Sequence, residues 1–96
     1  MNEDWSVYIV ECSDGTFYCG VSNDVQKRIK KHNSGGGAKY TRSRLPVKLL
    51  ASRNGLTKSN AMAIEYMTKK KPKERKINFM LNVPTPKKGN KNDKDA

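Results

Sequence analysis

The stretch that most constrains the fold is residues 6–22, SVYIVECSDGTFYCGVS, which has two short apolar runs on either side of an Asp-Gly pair. This pattern is typical of a β-hairpin. The length of the loop decides which residues lie opposite each other, because a shift by one residue turns every side chain to the other face. A two-residue loop pairs Cys12 with Phe17 and places Tyr8 and Tyr18 on opposite faces.

A three-residue loop over residues 13–15, with its glycine in the left-handed region as a bulge, instead sets Tyr8 opposite Gly20 and Val10 opposite Tyr18. Both tyrosines then lie on one face. The other face collects the apolar residues Trp5, Val7, Ile9, Phe17 and Cys19. Because this register separates the side chains more cleanly, we predict the three-residue loop. It also places the two cysteines on opposite faces, which argues against a disulfide.

The rest of the chain predicts three helices and one more strand. Asn23, with Gln26 three residues later, is the expected N-cap of the first helix. A short apolar run over 47–52 is the expected third strand. Thr57 or Ser59 caps a second helix through residue 70, and Pro72 suits the first turn of a third helix. The order β-β-α-β-α-α predicts an α+β domain, with a small three-stranded antiparallel sheet flanked by helices.

The composition indicates a nucleic-acid partner. The chain has twenty Lys and Arg residues and nine Asp and Glu residues, which gives a net charge of +11. No apolar run approaches the ~20 residues needed to span a membrane, and the N-terminus lacks a signal peptide, so we expect a cytoplasmic protein without membrane contact. Two cysteines without metal-site spacing exclude a structural zinc site. Residues 1–83 form the expected domain, and the lysine-rich tail 84–96 is expected to be disordered.

One set of motifs resembles the GIY-YIG nuclease family, in its small stand-alone members. The set consists of Ser6-Val7-Tyr8, a spacer with a turn, Tyr18-Cys19-Gly20, Arg28, His32 one helical turn later, and Glu65 in a later helix. The basic stretch 37–42 matches the small members too. Ser6-Val7 stands in place of the family's Gly-Ile, and Cys19 in place of its middle Ile. Neither change removes a group that the family uses in chemistry.

The resemblance implies a metal-dependent phosphodiester hydrolase. Glu65 would hold Mg²⁺ or Mn²⁺, a role for which one carboxylate with waters and substrate phosphate is enough. Arg28 would stabilise the charge on the phosphate through its forked hydrogen bonds. Tyr18 resembles the tyrosine proposed to activate or orient the attacking water. Tyr8 and His32 would assist, from the same face of the hairpin and from the helix beside it.

Further residues are candidates for substrate contact. A basic loop with one aromatic ring suits backbone phosphates and the stacking of an unpaired base; it contains Lys39, Tyr40, Arg42 and Arg44. Asn78 is a candidate to support the site, with Asn82 as its rival.

The predicted function is therefore a DNA endonuclease of low sequence specificity that favours single-stranded or structured DNA, with no obligate protein partner inferred. Two alternatives stay open. One is a non-catalytic nucleic-acid-binding module with the same fold. The other is a basic structural protein of a ribosome or nucleoid, which explains the charge but not the motif.

Overall fold

The computed structural model of the chain describes residues 3–86, in the order β-β-α-α-β-α-α. The elements are β1 Trp5–Glu11, β2 Phe17–Ser22, α1 Val25–Asn33, α2 Lys39–Arg42, β3 Lys48–Leu56, α3 Lys58–Lys69 and α4 Lys73–Asn82. The strand β1 is central and pairs antiparallel with both neighbours, in the order β2-β1-β3. The predicted α+β class and three-stranded antiparallel sheet are confirmed. Most of the expected tail, residues 87–96, lies outside the described residues.

The hairpin has the three-residue loop. The backbone N–H of Cys12 donates to the carbonyl of Thr16 at 2.8 Å, and that of Gly15 donates to the carbonyl of Cys12 at 2.9 Å. Gly15 has a φ of 84°, a conformation that glycine adopts without steric cost. Tyr8 consequently lies opposite Gly20. The predicted register is confirmed, and the alternative two-residue loop is excluded.

The two faces of the sheet bury different sets of residues. One face packs under α3 and α4 in a cluster of Val7, Ile9, Cys19, Leu56, Ala61, Ile64 and Met80. The other face carries a second cluster of Tyr8, Val10, Cys12 and Val47, against which Val25 and Ile29 of α1 pack. Both cysteines are free and buried in different clusters, as expected from the register. No helix within residues 3–86 is long and apolar enough to cross a membrane.

The N-cap of α1 differs from the prediction. The cap is Asp24 and not Asn23, because the Asp24 carboxylate accepts a hydrogen bond from the backbone N–H of Lys27 at 3.1 Å. The hydroxyl of Ser22 in turn accepts from the N–H of Asp24 at 2.9 Å, which fixes the chain where it leaves β2. Asn and Asp are equally good caps. Local sequence therefore offers no reason to prefer the second of the two.

Four other features differ from the prediction or decide between its alternatives. A short helix, α2, stands where the sequence predicts a loop. Strand β3 continues past the predicted end at residue 52 to Leu56. It does so because the first residues of β1 pair with it there, Trp5 with Leu56. Thr57 caps α3 by accepting from the N–H of Asn60 at 3.1 Å, which selects it over Ser59. Pro72 is the N-cap of α4 and not a residue of its first turn.

Gly20 is required by the position of Tyr8. A Cβ at Gly20 would lie 2.6 Å from the Tyr8 hydroxyl oxygen and 2.7 Å from the carbon that bears it. We therefore expect Gly20→Ala to displace the tyrosine ring and to lower the free energy of unfolding by about 1–3 kcal/mol, as overpacking in a core does. Urea denaturation measures this. Gly36→Ala is the matched control, because its Cβ would meet nothing closer than 3.7 Å; an equal loss in both variants would contradict the explanation.

Candidate active site

A chain of hydrogen bonds runs through the interior beside the sheet. The Tyr8 hydroxyl lies 2.8 Å from Nε2 of His32, and Nδ1 of His32 lies 3.0 Å from the Thr41 hydroxyl. The Thr41 hydroxyl donates to the carbonyl of Ala38 at 2.9 Å. Tyr8, His32 and Thr41 are 1%, 0% and 0% exposed. Buried polar groups are stable only when they are hydrogen-bonded, and this chain supplies partners to all three.

The segment before α2 lies tightly against the His32 ring. A Cβ at Gly37 would be 2.3 Å from Nδ1 of His32 and 2.8 Å from its Cα. Only glycine permits so close an approach of one backbone to another. The resulting contact brings the start of α2, with Thr41, onto the histidine.

Tyr18 lies on the same sheet face as Tyr8 and contacts the site through its ring. The ring meets that of His32 edge to face at 5.5 Å between centroids and stacks on that of Tyr40 at 6.0 Å. The ammonium of Lys69 lies 5.7 Å from the Tyr18 centroid. Tyr18 therefore connects three elements, α1, α2 and α3, at the edge strand of the sheet.

Arg28 is a cation without an acidic partner in the described part of the chain. Its guanidinium is near enough to the Tyr8 hydroxyl to lower the pKa of that group. Its Nε is buried and lacks a hydrogen-bond partner within residues 3–86, where the ion pairs involve other basic side chains. It lines a cleft of about 200 Å³ together with Lys27, Lys31 and one carboxylate, that of the N-cap Asp24. A buried, unpaired guanidinium N–H is costly, so the arrangement suits an incoming anion.

The surroundings keep the two ring residues of the hydrogen-bond chain, Tyr8 and His32, uncharged. Burial raises the pKa of Tyr8 to about 12, and the Arg28 guanidinium offsets part of that rise. Burial also lowers the pKa of His32, with a smaller contribution from the positive charge of Arg28. At neutral pH the site therefore holds a protonated phenol next to an uncharged imidazole, which has one donor and one acceptor nitrogen.

Glu65 lies on the α3 side of the sheet, on the face opposite Tyr8. Its neighbours Ala61 and Ile64 are fully buried, as predicted for the inner side of that helix. The Glu65 carboxylate, 22% exposed, pairs with Lys69 of the next turn at 2.8 Å. Burial raises the pKa of the Cys19 thiol to about 12, and the nearby negative charge of Glu65 adds to the rise. Lys69 is the contact between Glu65 and the Tyr18 ring.

The remaining predicted residues lie around this centre. Lys39 and Arg42 are exposed on α2. Arg44 lies over the Tyr40 ring, 4.0 Å from its centroid, and pairs with Asp14 of the hairpin loop at 3.0 Å. These contacts attach the α2 segment to the hairpin.

Asn78 is exposed on α4, where its side-chain oxygen accepts from Asn82 at 2.9 Å. Within residues 3–86 this hydrogen bond joins Asn78 to Asn82, the alternative candidate, and not to the other predicted site residues. The support role of Asn78 stays a prediction.

Sequence reasoning missed four residues of the site. Lys27 and Lys31 flank Arg28 along α1, and Lys69 follows Glu65 by four positions. The i, i+4 spacing that puts such residues on one helix face was a usable signal for these three. Thr41 is different, because it reaches His32 only through the fold and no local pattern marks it.

Comparison with known proteins identifies the family. A family model described as the GIY-YIG catalytic domain matches residues 4–78. The chain belongs to the GIY-YIG family. The UPF0213 protein SAG0778 of Streptococcus agalactiae is 49% identical over 74 residues, which are 77% of this chain and 84% of that protein. A UPF0213 protein of Nitratidesulfovibrio vulgaris is 41% identical over 82 residues, 85% of this chain and 74% of that protein.

Two solved structures share the fold. The solution NMR structure of the UPF0213 protein BH0048 from Bacillus halodurans is 44% identical, with a TM-score of 0.50, and the match covers 85% of this chain and 87% of that one. The solution NMR structure of EF2693 from E. faecalis is 33% identical, with a TM-score of 0.56 over 82% and 84% of the two chains. The GIY-YIG resemblance and the α+β fold are thus confirmed.

The single histidine permits a direct test of the electrostatics. We expect NMR titration of the His32 ring to give a pKa below the usual 6.5. Arg28→Gln should raise that pKa but leave it below 6.5, because burial is the larger cause. Lys30→Gln, which removes an exposed charge of the same helix, should leave it unchanged. A normal pKa in the wild type would contradict the buried, neutral histidine.

The same shift predicts how stability depends on pH. Because the pKa is lower in the folded state, the unfolded chain takes up this proton first as the pH falls through 6.5. Stability from His32 is therefore present above that pH and lost below it. Urea denaturation at pH 7.5 and 5.5 should show a smaller loss in His32→Gln than in the wild type, and an equal loss in both would contradict this linkage.

Proposed function

We propose that this GIY-YIG protein is a metal-dependent DNA endonuclease that hydrolyses phosphodiester bonds with low sequence specificity. Arg28 is the observation that carries the proposal. It is a partly buried guanidinium without an acidic partner among residues 3–86, set between two lysines and a buried tyrosine. A phosphate oxygen fits this position, because a guanidinium donates paired hydrogen bonds to the charge that develops in the transition state.

Tyr8 is the better placed of the two tyrosines for proton transfer. Its hydroxyl has His32 behind it at 2.8 Å, whereas Tyr18 contacts its neighbours through its ring. An attacking water would give a proton to the Tyr8 oxygen while the Tyr8 proton moves to Nε2 of His32. The resulting hydroxide would attack phosphorus, the bond from phosphorus to the leaving oxygen would break, and that oxygen would depart as an alkoxide and take a proton from solvent. Tyr18 would then orient the water, its predicted role, and Tyr8 would take the larger part in the proton step.

A bound phosphate would also make His32 a better proton acceptor. The charge of Arg28 is one of the two causes that lower the pKa of His32. A phosphodiester beside Arg28 brings a negative charge that offsets it. The substrate would thereby raise the basicity of the histidine at the moment when a proton has to be received.

The residues present fit a divalent cation held at Glu65. A half-buried carboxylate is a suitable hard oxygen ligand, and Mg²⁺ usually keeps several waters and binds substrate phosphates. Within residues 3–86 no group of three His, Cys, Asp or Glu side chains could hold a metal ion. Glu65 would act as a single protein ligand beside waters and substrate phosphate. Mg²⁺ or Mn²⁺ there would neutralise charge on the phosphate and the leaving oxygen.

Single-stranded or structured DNA is the favoured substrate. Tyr40 is 39% exposed and lies next to Tyr18, with exposed basic residues on either side of it in α2. An unpaired base can stack on such a ring by displacing the Arg44 guanidinium that lies 4.0 Å from its centroid, and the lysines and arginines can follow the backbone. In a duplex the bases are already stacked on each other, so this contribution would be lost.

Cleavage assays test the proposed chemistry. We expect the protein to cut DNA with Mg²⁺ or Mn²⁺ and to stop with EDTA. Arg28→Ala should lower kcat about 100- to 1,000-fold, the usual cost of removing one group that stabilises transition-state charge. Glu65→Ala should abolish cleavage, whereas Glu74→Ala, which removes an exposed acid of α4, should not.

Two results would overturn these assignments. Cleavage that survives EDTA and both substitutions would exclude the mechanism. Binding without cleavage under any metal would favour the non-catalytic module. Affinity alone does not separate the two, because binding by a chain of net charge +11 weakens with salt in either case.

Binding assays test the substrate form. We expect Tyr40→Ala to weaken binding of a single-stranded oligonucleotide by about 1–3 kcal/mol, the value of one stacked base, and to change duplex binding much less. Tyr66→Ala is the matched control, since Tyr66 is 62% exposed on α3 and lies under Lys70. Fluorescence anisotropy at fixed salt measures both. An equal effect on the two DNA forms would remove the argument for single strands.

A further inference from the structure

The proton positions along the buried hydrogen bonds of Tyr8, His32 and Thr41 follow from the end at the Ala38 carbonyl. The carbonyl of Ala38 only accepts hydrogen bonds, so the Thr41 hydroxyl, 2.9 Å away, uses its single proton there. The Thr41 oxygen is then an acceptor, which favours a proton on Nδ1 of His32 at 3.0 Å. A neutral imidazole has one N–H. Nε2 is therefore the acceptor, and the Tyr8 hydroxyl at 2.8 Å donates to it.

One other polar group faces Nδ1. The backbone N–H of Ala38 points at it from 3.4 Å, a longer distance than that of the Thr41 oxygen. This N–H can only donate, so by itself it would favour an unprotonated Nδ1. The opposite tautomer would place the ring proton on Nε2 and make Tyr8 the acceptor. Thr41 and Ala38 therefore favour opposite tautomers, and the shorter contact is that of Thr41.

We propose that Thr41 is a positioning residue that holds His32 in the Nδ1–H tautomer and thereby directs the Tyr8 proton toward Nε2. The lone pairs of the Tyr8 oxygen are then free to accept from another donor, and the Arg28 guanidinium is the cation that acts on this oxygen. This inference rests on the proposed function only in giving Tyr8 a role in the proton step. The tautomer itself is a property of the folded protein without substrate.

The burial of Thr41 agrees with a fixed geometry. Its side chain is 0% exposed, and the close contact of Gly37 with the His32 ring sets the distance between α2 and α1. The backbone N–H of Thr41 also donates to the Ala38 carbonyl, at 3.1 Å. The turn is therefore held without the hydroxyl, and a substitution that removes only the hydroxyl should leave α2 in place.

The experiment reads the tautomer directly. Long-range ¹H–¹⁵N correlation spectra of ¹⁵N-labelled protein distinguish the protonated from the unprotonated nitrogen of the single histidine, at a pH where the ring is neutral. We expect Nδ1–H in the wild type and in Thr41→Ser. In Thr41→Val the donor of Ala38 is the remaining partner of Nδ1, so we expect a switch to Nε2–H. Urea denaturation of each variant checks that it is folded.

Kinetics supply the second readout. With single-stranded oligonucleotide and Mg²⁺, Thr41→Val should lower kcat on the order of 10- to 100-fold, the range seen when the partner behind a functional histidine is removed. KM should be nearly unchanged, and Thr41→Ser should restore kcat. Equal losses in Ser and Val would indicate a packing role and contradict the inference.

The failure of this inference and that of the proposed function are distinguishable. An Nε2–H tautomer in the wild type would overturn the role of Thr41, whatever the activity. A folded Thr41→Val variant that keeps the wild-type tautomer would overturn it as well. Absence of cleavage by the wild type would overturn the nuclease proposal, while the spectra would still decide whether Thr41 sets the tautomer.

Discussion

The register of the first hairpin is the constraint on which the rest of the structure depends. Because the loop has three residues, Tyr8 lies opposite Gly20, which is small enough to leave room for the tyrosine ring. A slip by one residue would exchange the two faces of β2 relative to β1. Tyr18 would then leave the face that carries His32. Each face of β2 would turn to the helices the residues that now lie on its other face.

The residues of the site are also the core on their side of the sheet. Tyr8 belongs to the cluster under α1, and His32 and Thr41 are fully buried beside it. A domain this small has little apolar surface to bury, and here polar side chains fill part of the interior. That is tolerable because each of the three has a hydrogen-bond partner. Arg28 is an exception among the site residues, because its buried Nε lacks a hydrogen-bond partner within residues 3–86.

The parts of this arrangement that could be predicted from the sequence are those set by local patterns. The loop length, the inner side of α3 and the one-turn spacing of Arg28 and His32 follow from strand and helix periodicity. The short helix α2 and the role of Thr41 do not, because they depend on how the 38–44 segment folds back onto α1. The cap at Asp24 was missed for a simpler reason, since two adjacent residues were equally suitable.

The proposed groups divide between the two faces of a single sheet, and this division limits where a substrate can lie. Arg28 and the Tyr8 chain are on the α1 side, whereas Glu65 is on the α3 side beside Cys19. A phosphate can approach both only around an edge of the sheet. The strand β2 is such an edge, and Tyr18 within it contacts elements of both sides, His32 of α1 and Lys69 of α3. The scissile phosphate would therefore lie across β2 at Tyr18, with Arg28 and the Tyr8–His32–Thr41 hydrogen bonds on one side and the partly buried Glu65 on the other.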